Sequence, residues 1–263
     1  MPDRSPAPPA ALVTGAARRL GAAMVRRLVA EGFRVALHCN ASRDEADALA
    51  AELRAGGGVC EVVTGDLAHR AEVEAVWEAA VERVGPIRLL VNNASLFRND
   101  DIIGAAEADL DAHMAVNLKA PLWLTERLAS QRDLPPGALV VNMLDNKCFA
   151  LNPDFFTYTL SKTALHTATT MCAMRFGGHP RVCGIAPSIT LISGKQSQEN
   201  FEKSARINPL GRRVTPDDIC DALMLLWRDP SQNGQVLVLD GGQVLWRLDR
   251  DVAFLVKEGL ADG

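Results

Sequence analysis

Tyr158 and Lys162 lie four residues apart at the end of the stretch VVNMLDNKCFALNPDFFTYTLSK, which runs from Val140 to Lys162. On a helix this spacing places both side chains on one face. An ammonium group beside a phenol favours the phenolate, so we expect the pKa of Tyr158 to be lowered towards the operating range. The pair is therefore a candidate for delivering a proton.

Asp145 lies thirteen residues before the tyrosine. Hydride addition to a ketone builds negative charge on oxygen, which an adjacent carboxylate would oppose. Reduction of a C=N bond differs, because the nitrogen must gain a proton, and a carboxylate can also accept hydrogen bonds from ring N–H and amino groups. Asp145 therefore predicts a substrate with an imine-type ring, and the alternative is a loop aspartate that only forms a turn or caps a helix.

Short β-rich runs alternate with longer helical stretches through most of the chain. Right-handed crossovers between such units give one parallel sheet with helices on both faces, so we predict an α/β, doubly wound, Rossmann-like domain with seven parallel strands. A single long helix is expected from about 109 to 130. The predicted strands are ALVTG, FRVALHC, VCEVVTGDL, PIRLLVNNA, GALVVNML, RVCGIAP and GQVLVLDGG.

The chain of 263 residues fits a single domain. We expect a disordered proline-rich lead over 1–9, the Rossmann domain over 10–242 with a flexible substrate lid at about 188–212, and a tail over 243–263. The tail is amphipathic and rich in large apolar groups, so exposure would leave an adhesive patch. It is therefore expected to pack in a subunit interface.

The composition is that of an ordinary globular protein, with 48% hydrophobic and 23% charged residues and a net charge of −4. This gives no electrostatic case for a nucleic acid or membrane partner. The six cysteines are scattered without metal-like spacing, which favours reduced thiols in the cytoplasm and no metal site. The first ten residues contain no apolar signal core, which favours the same location.

The segment TGAARRLG, residues 14–21, follows the first predicted strand and opens a helix. Its glycines permit a tight turn, and the helix N-terminus offers free N–H groups to a diphosphate. Arg18 and Arg19 would oppose the helix dipole unless a phosphate lay beside them. The segment therefore predicts a dinucleotide diphosphate site.

The second predicted strand ends in LHCNASR, where a site selective for NAD usually has an acid for the ribose 2′-hydroxyl. No acid occurs before Asp44, whereas His38, Asn40, Ser42 and Arg43 offer donors. With Arg18 nearby, the 2′-phosphate of NADPH is the better match. We therefore predict NADPH as the cofactor.

Together these motifs resemble those of short-chain dehydrogenases/reductases in order and spacing, from Ala11 to Gly242. They are TGAARRLG, GDL with Asp66, NNAS ending at Ser95, Asn117 and YTLSK. Three departures from the common family pattern resemble the pteridine reductases, including the dihydromonapterin reductases: Arg19 for Gly, Ser95 for Gly and Asp145 for Ser. Phe97 also falls where that subgroup has an aromatic that stacks on the pterin.

The resemblance implies a set of site residues and a homotetramer. Tyr158 and Asp145 would handle the proton, Lys162 would tune the tyrosine and bind the ribose, and Asn117 would hold a water that links Lys162 to solvent. The backbone around Pro187 would hold the nicotinamide amide, although Ser188 replaces the usual glycine. The implied cofactor-binding residues are Gly15, Arg18, Arg19, Leu20, Gly21, His38, Asn40, Ser42, Asp66, Leu67, Asn93, Ala94, Ser95, Tyr158, Lys162, Pro187, Ser188 and Ile189. The implied substrate-binding residues are Arg19, Ser95, Phe97, Asp145 and Tyr158.

The leading hypothesis is therefore NADPH-dependent reduction of a pterin ring, from a 7,8-dihydropterin, dihydromonapterin or dihydrofolate to the tetrahydro form, or from an oxidised pterin. One alternative is a carbonyl or 3-ketoacyl reductase of the same family, in which Asp145 is incidental. A second alternative is a non-catalytic NADP sensor, against which the presence of Asn117, Tyr158 and Lys162 argues.

Overall fold

A computed structural model describes residues 8–194 and 196–260. Seven parallel strands form one sheet in the order β3-β2-β1-β4-β5-β6-β7, which confirms the predicted doubly wound fold. The order reverses at β1, whose neighbours are β2 and β4. The strands are β1 Ala10–Val13, β2 Arg34–Cys39, β3 Val59–Thr64, β4 Ile87–Asn92, β5 Leu139–Met143, β6 Arg181–Pro187 and β7 Val236–Leu239.

Helices cover both faces of the sheet and bury its two apolar surfaces. One hydrophobic cluster includes Val13, Met24 and Ile219. A second, separate cluster includes Leu12, Trp77 and Leu124. β1 and β5 are buried along their whole length, as their continuous apolar runs predict. The helices are α1 Arg19–Ala30, α2 Arg43–Ala55, α3 Arg70–Val84, α4 Glu107–Met114, α5 Ala120–Ala129, α6 Phe156–Phe176, α7 Gln198–Ser204, α8 Pro216–Arg228 and α9 Val252–Lys257.

The expected single helix over about 109–130 is wrong, because a π-helical turn at Ala115–Lys119 separates α4 from α5. Asn117 lies in this turn and is fully buried. Its side-chain amide both accepts a hydrogen bond from Leu96 N (2.8 Å) and donates one to Leu96 O (3.0 Å). A π turn inside a helix marks functional sites frequently, and this one aims Asn117 at the loop after β4.

The ends of the chain differ in part from the expectations. Residues 1–7 of the predicted disordered lead lie outside the described residues. Within the same lead, Pro8 and Pro9 accept hydrogen bonds from the side chain and the backbone of Arg34, so these two residues are tied to β2. The predicted lid contains α7, and Lys195 within it is not described.

The tail does not extend away from the domain. Residues 243–246 form a 3₁₀ turn, α9 packs against α7, and 261–263 of the predicted tail lie outside the described residues. Within the described parts of the chain, no helix is both long and apolar enough to span a membrane, and no cluster of potential ligands could hold a metal ion. All six cysteines are free thiols.

Candidate active site

A cavity of about 1020 Å³ lies at the carboxyl ends of the strands, where the strand order reverses at β1. This is the position at which doubly wound sheets bind ligands. One end is lined by the turn after β1 and the loop after β2, and the other by the residues after β4, β5 and β6. Every residue that the sequence assigned to the site, apart from Asn117 and Arg43, lines this cavity.

The turn after β1 is built on Gly15 and Gly21. Gly15 has a φ of +59°, and a side-chain Cβ there would lie 2.8 Å from Ala94 Cα. A Cβ on Gly21 would lie 2.7 Å from Ala16 Cα and would also meet the carbonyl of Gly15. Both positions therefore require glycine, and the turn lines the cavity at the start of α1, with the N–H groups of Gly15 and Ala16 bonded to His38.

Thr14 and Asn93 brace this turn against the loop after β4. Asn93 Nδ2 donates to the carbonyl oxygens of Thr14 (2.8 Å) and Gly15 (3.0 Å). Thr14 Oγ1 accepts from the backbone N–H groups of Asn93 (2.9 Å) and Ala94 (3.0 Å). Asn93 thus supports the glycine turn, and both loops are held in one arrangement.

The predicted donation from His38 to a phosphate does not fit the structure. His38 is buried, and its Nδ1 accepts from Gly15 N (3.1 Å) while Nε2 contacts Gly65 O (3.0 Å). Burial lowers the pKa of His38, so the ring is neutral and carries its proton on Nε2. His38 lines the cavity but uses both nitrogens to hold the glycine turn.

The rim of this end of the cavity carries the predicted phosphate contacts. Arg18 is exposed and pairs with Glu45 (3.2 Å), and Asn40 and Ser42 lie beside it in the cavity wall. Ser42 stands at the N-cap position of α2 without a capping hydrogen bond, so its hydroxyl has no partner there. Arg43 instead pairs with Asp47 (2.7 Å) along α2.

Asp66 and Leu67 line the cavity after β3. Asp66 Oδ1 accepts from Ala68 N (2.9 Å), so this carboxylate shapes the turn after β3. Leu67 is buried in the second hydrophobic cluster. Neither residue presents a side-chain donor to a phosphate, and both suit a wall against a flat ring.

Tyr158 and Asp145 meet at the other end of the cavity. Asp145 follows β5, and Tyr158 lies in the first turn of α6. Tyr158 Oη donates to Asp145 Oδ2 (2.8 Å). Asp145 Oδ1 accepts from Lys147 N (3.0 Å) and caps a 3₁₀ turn at Asn146–Cys148. Asp145 is therefore both the turn former of the alternative interpretation and a direct partner of the tyrosine.

The expected lowering of the tyrosine pKa is wrong for this arrangement. Burial raises the pKa of Tyr158 well above its usual value, and the charge and hydrogen bond of Asp145 raise it further. Burial also raises the pKa of Asp145, against the opposing influence of Lys147. The pair therefore retains protons more strongly than isolated groups would, and Tyr158 is a neutral phenol that donates to the carboxylate.

Lys162 lies one turn along α6 from Tyr158, with Nζ 5.8 Å from the centre of the phenol ring. Its Nζ donates to Met143 O at the end of β5 (2.8 Å). Burial lowers the pKa of Lys162 to about 8, while the charge of Asp145 opposes this shift. The ammonium is thus anchored to the sheet and lines the cavity, and no carboxylate of the described residues is bonded to it.

Asn117 does not contact Tyr158 or Lys162 directly. Its Nδ2 donates to Ser161 Oγ (3.0 Å), and Ser161 Oγ donates to Tyr158 O (2.6 Å). With the contacts to Leu96, these bonds use the side-chain amide fully. Asn117 therefore braces α6 against the loop after β4, and its holding of a water that links Lys162 to solvent remains a prediction.

Phe97 stands at the cavity with 41% of its surface exposed. One face of its ring stacks on Phe155, with centroids 4.3 Å apart and planes at 17°. Tyr158 meets Phe97 edge to face at 4.7 Å. Phe97 is thus fixed in orientation by two aromatic neighbours, as a stacking platform requires.

The mouth of the cavity is bridged by Arg19. This residue has a φ of +55°, a conformation that L side chains adopt with strain and glycine adopts freely. Its guanidinium donates to the carbonyl oxygens of Leu191 (3.4 Å) and Ile192. The arginine in place of the usual glycine therefore links the turn after β1 to the predicted lid.

The residues after β6 complete the wall. Ser188 N donates to Leu239 O (3.0 Å), and Ser188 O accepts from Thr190 Oγ1 (2.9 Å). Ser188 does not have a positive φ, so a serine fits there without strain. Pro187 and Ile189 line the cavity beside it, while the exposed Ser95 hydroxyl donates to Leu96 O (3.2 Å).

Sequence reasoning missed three contributors to the site: Phe155, Lys147 and the tail. Phe155 has a φ of +55° at the N-cap of α6 and stacks between Phe97 and Phe254. Lys147 is buried and pairs with Asp251 of the tail. The motif PDFFTY was a possible signal for Phe155, but no local pattern links Lys147 to a residue so distant in the chain.

The model of the short chain dehydrogenase family matches residues 9–203. Two solved structures, alternative dihydrofolate reductase 1 (FolM) from Brucella canis and from Brucella suis, each in complex with NADP, have a TM-score of 0.86 to this chain at 44% identity. Both matches cover 91% of this chain, with 95% of the B. canis chain and 96% of the B. suis chain.

More distant relatives act on other substrates. D-threitol dehydrogenase from Mycolicibacterium smegmatis is 30% identical over 241 residues, covering 89% of this chain and 92% of its own length. A 3-oxoacyl-[acyl-carrier-protein] reductase from Thermotoga maritima is 28% identical, covering 89% and 97%. Family likeness alone therefore does not select a substrate, and the geometry around Asp145 must do so.

Proposed function

The chain belongs to the short-chain dehydrogenase family, and from this premise we propose that it is an NADPH-dependent reductase of pterin rings. The substrate class is a 7,8-dihydropterin, dihydromonapterin or dihydrofolate, reduced to the tetrahydro form. The observation that carries the proposal is the hydrogen bond from Tyr158 to Asp145 beside the platform of Phe97.

The residues at the glycine turn fit NADPH. The cradle of Gly15 and Gly21 is too tight for any side chain, so its backbone can approach a diphosphate, and the start of α1 adds the favourable end of a helix dipole. Arg18 and Ser42 would hold the 2′-phosphate, because the exposed pair of Arg18 with Glu45 is weak and gives way readily. Bound NADPH supplies the hydride.

Asp145 favours a C=N bond over a ketone as the group reduced. A ring nitrogen gains a proton on reduction, and a carboxyl group whose pKa is raised by burial can give it that proton or accept hydrogen bonds from the ring N–H groups. Tyr158 is a neutral phenol that donates to Asp145, so a proton that Asp145 gives to the ring nitrogen can be replaced from the phenol along this hydrogen bond, which forms a short proton path. A ketone oxygen, which gains negative charge on reduction, would instead meet repulsion whenever Asp145 is ionised.

Phe97 supports a flat substrate. Its ring is fixed by Phe155 and Tyr158 and keeps exposed surface on the cavity, so a fused heterocycle can stack there next to the proton path. The 44% identity to proteins described as alternative dihydrofolate reductases agrees with this substrate class. The relative described as a 3-oxoacyl reductase favours the alternative, a ketoacyl reductase in which Asp145 is only a turn former.

Initial rates of NADPH consumption by the purified protein test the proposal. Dihydromonapterin, 7,8-dihydrobiopterin, dihydrofolate and biopterin should be compared with a panel of ketones and a 3-ketoacyl thioester. The proposal predicts turnover of one or more pterins or folates. Turnover of ketones alone would establish the ketoacyl alternative, and tight NADPH binding without any turnover would establish a sensor.

Gly21→Ala is expected to weaken NADPH binding by roughly tenfold or more, because the added methyl group would lie 2.7 Å from Ala16 Cα and force the turn apart. Titration of NADPH fluorescence measures the dissociation constant. Gly56→Ala is the matched control, since its methyl group would meet no atom nearer than 3.4 Å. Wild-type affinity in Gly21→Ala would show that the turn does not bind the diphosphate.

We expect kcat/KM, whose pH dependence reports the pKa values of the free enzyme, to fall as pH rises through about 8. Burial lowers the pKa of Lys162 to about 8, so its positive charge is present below that pH and is lost above it. A pH profile for wild type, Lys162→Met and Lys119→Met checks this. Lys119→Met changes an exposed lysine, so its kcat/KM should still fall above about pH 8. If kcat/KM also falls there in Lys162→Met, the fall does not come from the titration of Lys162.

A further inference from the structure

The segment 248–257, here called the C-terminal strap, lies across the substrate end of the cavity. It lines the same cavity as Asp145, Tyr158 and Phe155. The strap includes α9 and reaches three separate parts of the site. The strap residues that line the cavity are Leu248, Arg250, Asp251, Val252 and Ala253.

The first attachment is an ion pair between Lys147 Nζ and Asp251 Oδ2. Only 10% of the Lys147 side chain and 13% of the Asp251 side chain are exposed. The backbone N–H of Lys147 holds Asp145 Oδ1 (3.0 Å), so this lysine is joined to the strap at one end and to the proposed proton donor at the other. Asp251 Oδ1 caps α9 by accepting from Ala253 N (2.9 Å).

The second attachment fixes the aromatic platform. Asp154 accepts from Arg250 Nε (2.9 Å) and from Asp251 N (2.7 Å). The next residue, Phe155, stacks on Phe254 of the strap with centroids 5.7 Å apart and planes at 15°. Lys147 Nζ also lies 5.2 Å from the centre of the Phe155 ring, within cation–π range.

The third attachment joins the strap to the predicted lid. Asn200 Nδ2 on α7 donates to Ala253 O (2.9 Å). The fully buried Ser204 Oγ on the same helix donates to Val252 O (3.3 Å). The strap thus connects the lid, the loop that carries Asp145 and the platform under Phe97.

We propose that Lys147 and Asp251 are positioning residues, whose buried ion pair holds the strap across the cavity and fixes Asp145 and the Phe97–Phe155 stack for the substrate. The step from positioning to pterin binding rests on the function proposed above. The attachment of the strap to Lys147 does not rest on that function, because it follows from contacts within the chain.

The Lys147–Asp251 pair can hold the strap and Asp145 in place because both of its side chains are buried. Exposed pairs such as Arg27 with Asp221 contribute little, since water and salt screen both charges. Removing one partner of a buried pair leaves an uncompensated charge, which the structure must move to hydrate. For Lys147 that movement would displace the backbone N–H that holds Asp145, and a shift of about 1 Å at a reacting group can cost on the order of 10²-fold in rate.

Asp251→Asn tests the proposal, with Asp221→Asn as the matched control in an exposed pair. Asp251→Asn keeps the size of the side chain and an oxygen to cap α9 but removes the charge. The expected result is a kcat for the dihydropterin lowered by up to about 10²-fold and a KM raised on the order of tenfold, with an NADPH dissociation constant within about twofold of wild type. Asp221→Asn should match wild type in all three.

Lys147→Met and the double variant Lys147→Met/Asp251→Asn complete a double-mutant cycle. If the two residues act as a pair, the double variant should be no worse than the worse single variant, whereas independent structural roles would add. Additive effects on KM would overturn the proposal, as would a KM in Asp251→Asn equal to that of the control.

Hydrogen exchange separates this inference from the proposed function. The amides of Lys147, Cys148 and Asp251, which donate hydrogen bonds in wild type, should exchange faster in Asp251→Asn than in wild type or Asp221→Asn, whatever the substrate. If wild type reduces no pterin, the proposed function is wrong and exchange alone decides the positioning role. Unchanged exchange would overturn that role even in an active pterin reductase.

Discussion

Asp145→Ser is expected to lower kcat/KM for a dihydropterin by about 10²-fold or more, which is the scale of a lost acid–base group. The variant removes the acceptor of the Tyr158 hydrogen bond and the carboxyl group that stands at the cavity. Serine can still cap the turn at Asn146–Cys148. The loss should therefore appear in turnover, with NADPH binding close to that of wild type.

The same variant should leave any side activity on ketones unchanged or increased, because the repulsive carboxylate has gone. Asp145→Asn separates charge from shape, since its amide oxygen can still cap the turn, and it should lose pterin turnover as serine does. Asp133→Ser, at an exposed position, is the surface control. Full pterin turnover in Asp145→Asn would show that the carboxylate is only a turn former.

Tyr158→Phe is expected to lower kcat by about 10²- to 10⁴-fold for pterins and for any ketone. The phenyl ring is kept, so the edge-to-face contact with Phe97 and the packing of α6 should persist. Only the donor to Asp145 is lost. Steady-state kinetics and an NADPH titration should show a collapse of kcat at nearly unchanged affinity, and a kcat within a few-fold of wild type would exclude the tyrosine from the proton path.

Tyr158 is the single tyrosine of the chain, so ultraviolet titration of the phenolate reports this residue alone. Its pKa is raised by burial and by the adjacent carboxylate, so wild type should show no phenolate in the neutral range. In Asp145→Ser the phenolate should appear at lower pH than in wild type, since one cause of the rise is gone. A phenolate near neutral pH in wild type would support the expectation drawn from the Tyr158–Lys162 spacing instead.

The fold was predictable because its signals are local. Continuous apolar runs marked buried strands, and amphipathic stretches between them implied a parallel sheet. The helix over about 109–130 was wrong because its interruption depends on Leu96, whose backbone binds the side chain of Asn117 from outside the helix. No pattern within the helical stretch itself encodes that contact.

The candidate site was predictable where chemistry follows a strand directly. Asp145 comes after β5 and Tyr158 opens α6, so both were expected at one edge of the sheet. The tyrosine pKa could not be predicted from the spacing to Lys162, because desolvation and Asp145 outweigh the ammonium, whose Nζ bonds Met143 O. The ion pair of Lys147 with Asp251 joins residues about a hundred positions apart, and only the folded chain brings them together.

Competition in one vessel tests the central claim most directly. Wild-type protein, NADPH, a 7,8-dihydropterin and a 3-ketoacyl thioester at equal concentrations are incubated without oxygen, and chromatography identifies the reduced products. Their initial ratio equals the ratio of the two kcat/KM values. The proposed function predicts that the tetrahydropterin dominates, and a product dominated by the 3-hydroxyacyl thioester would contradict it.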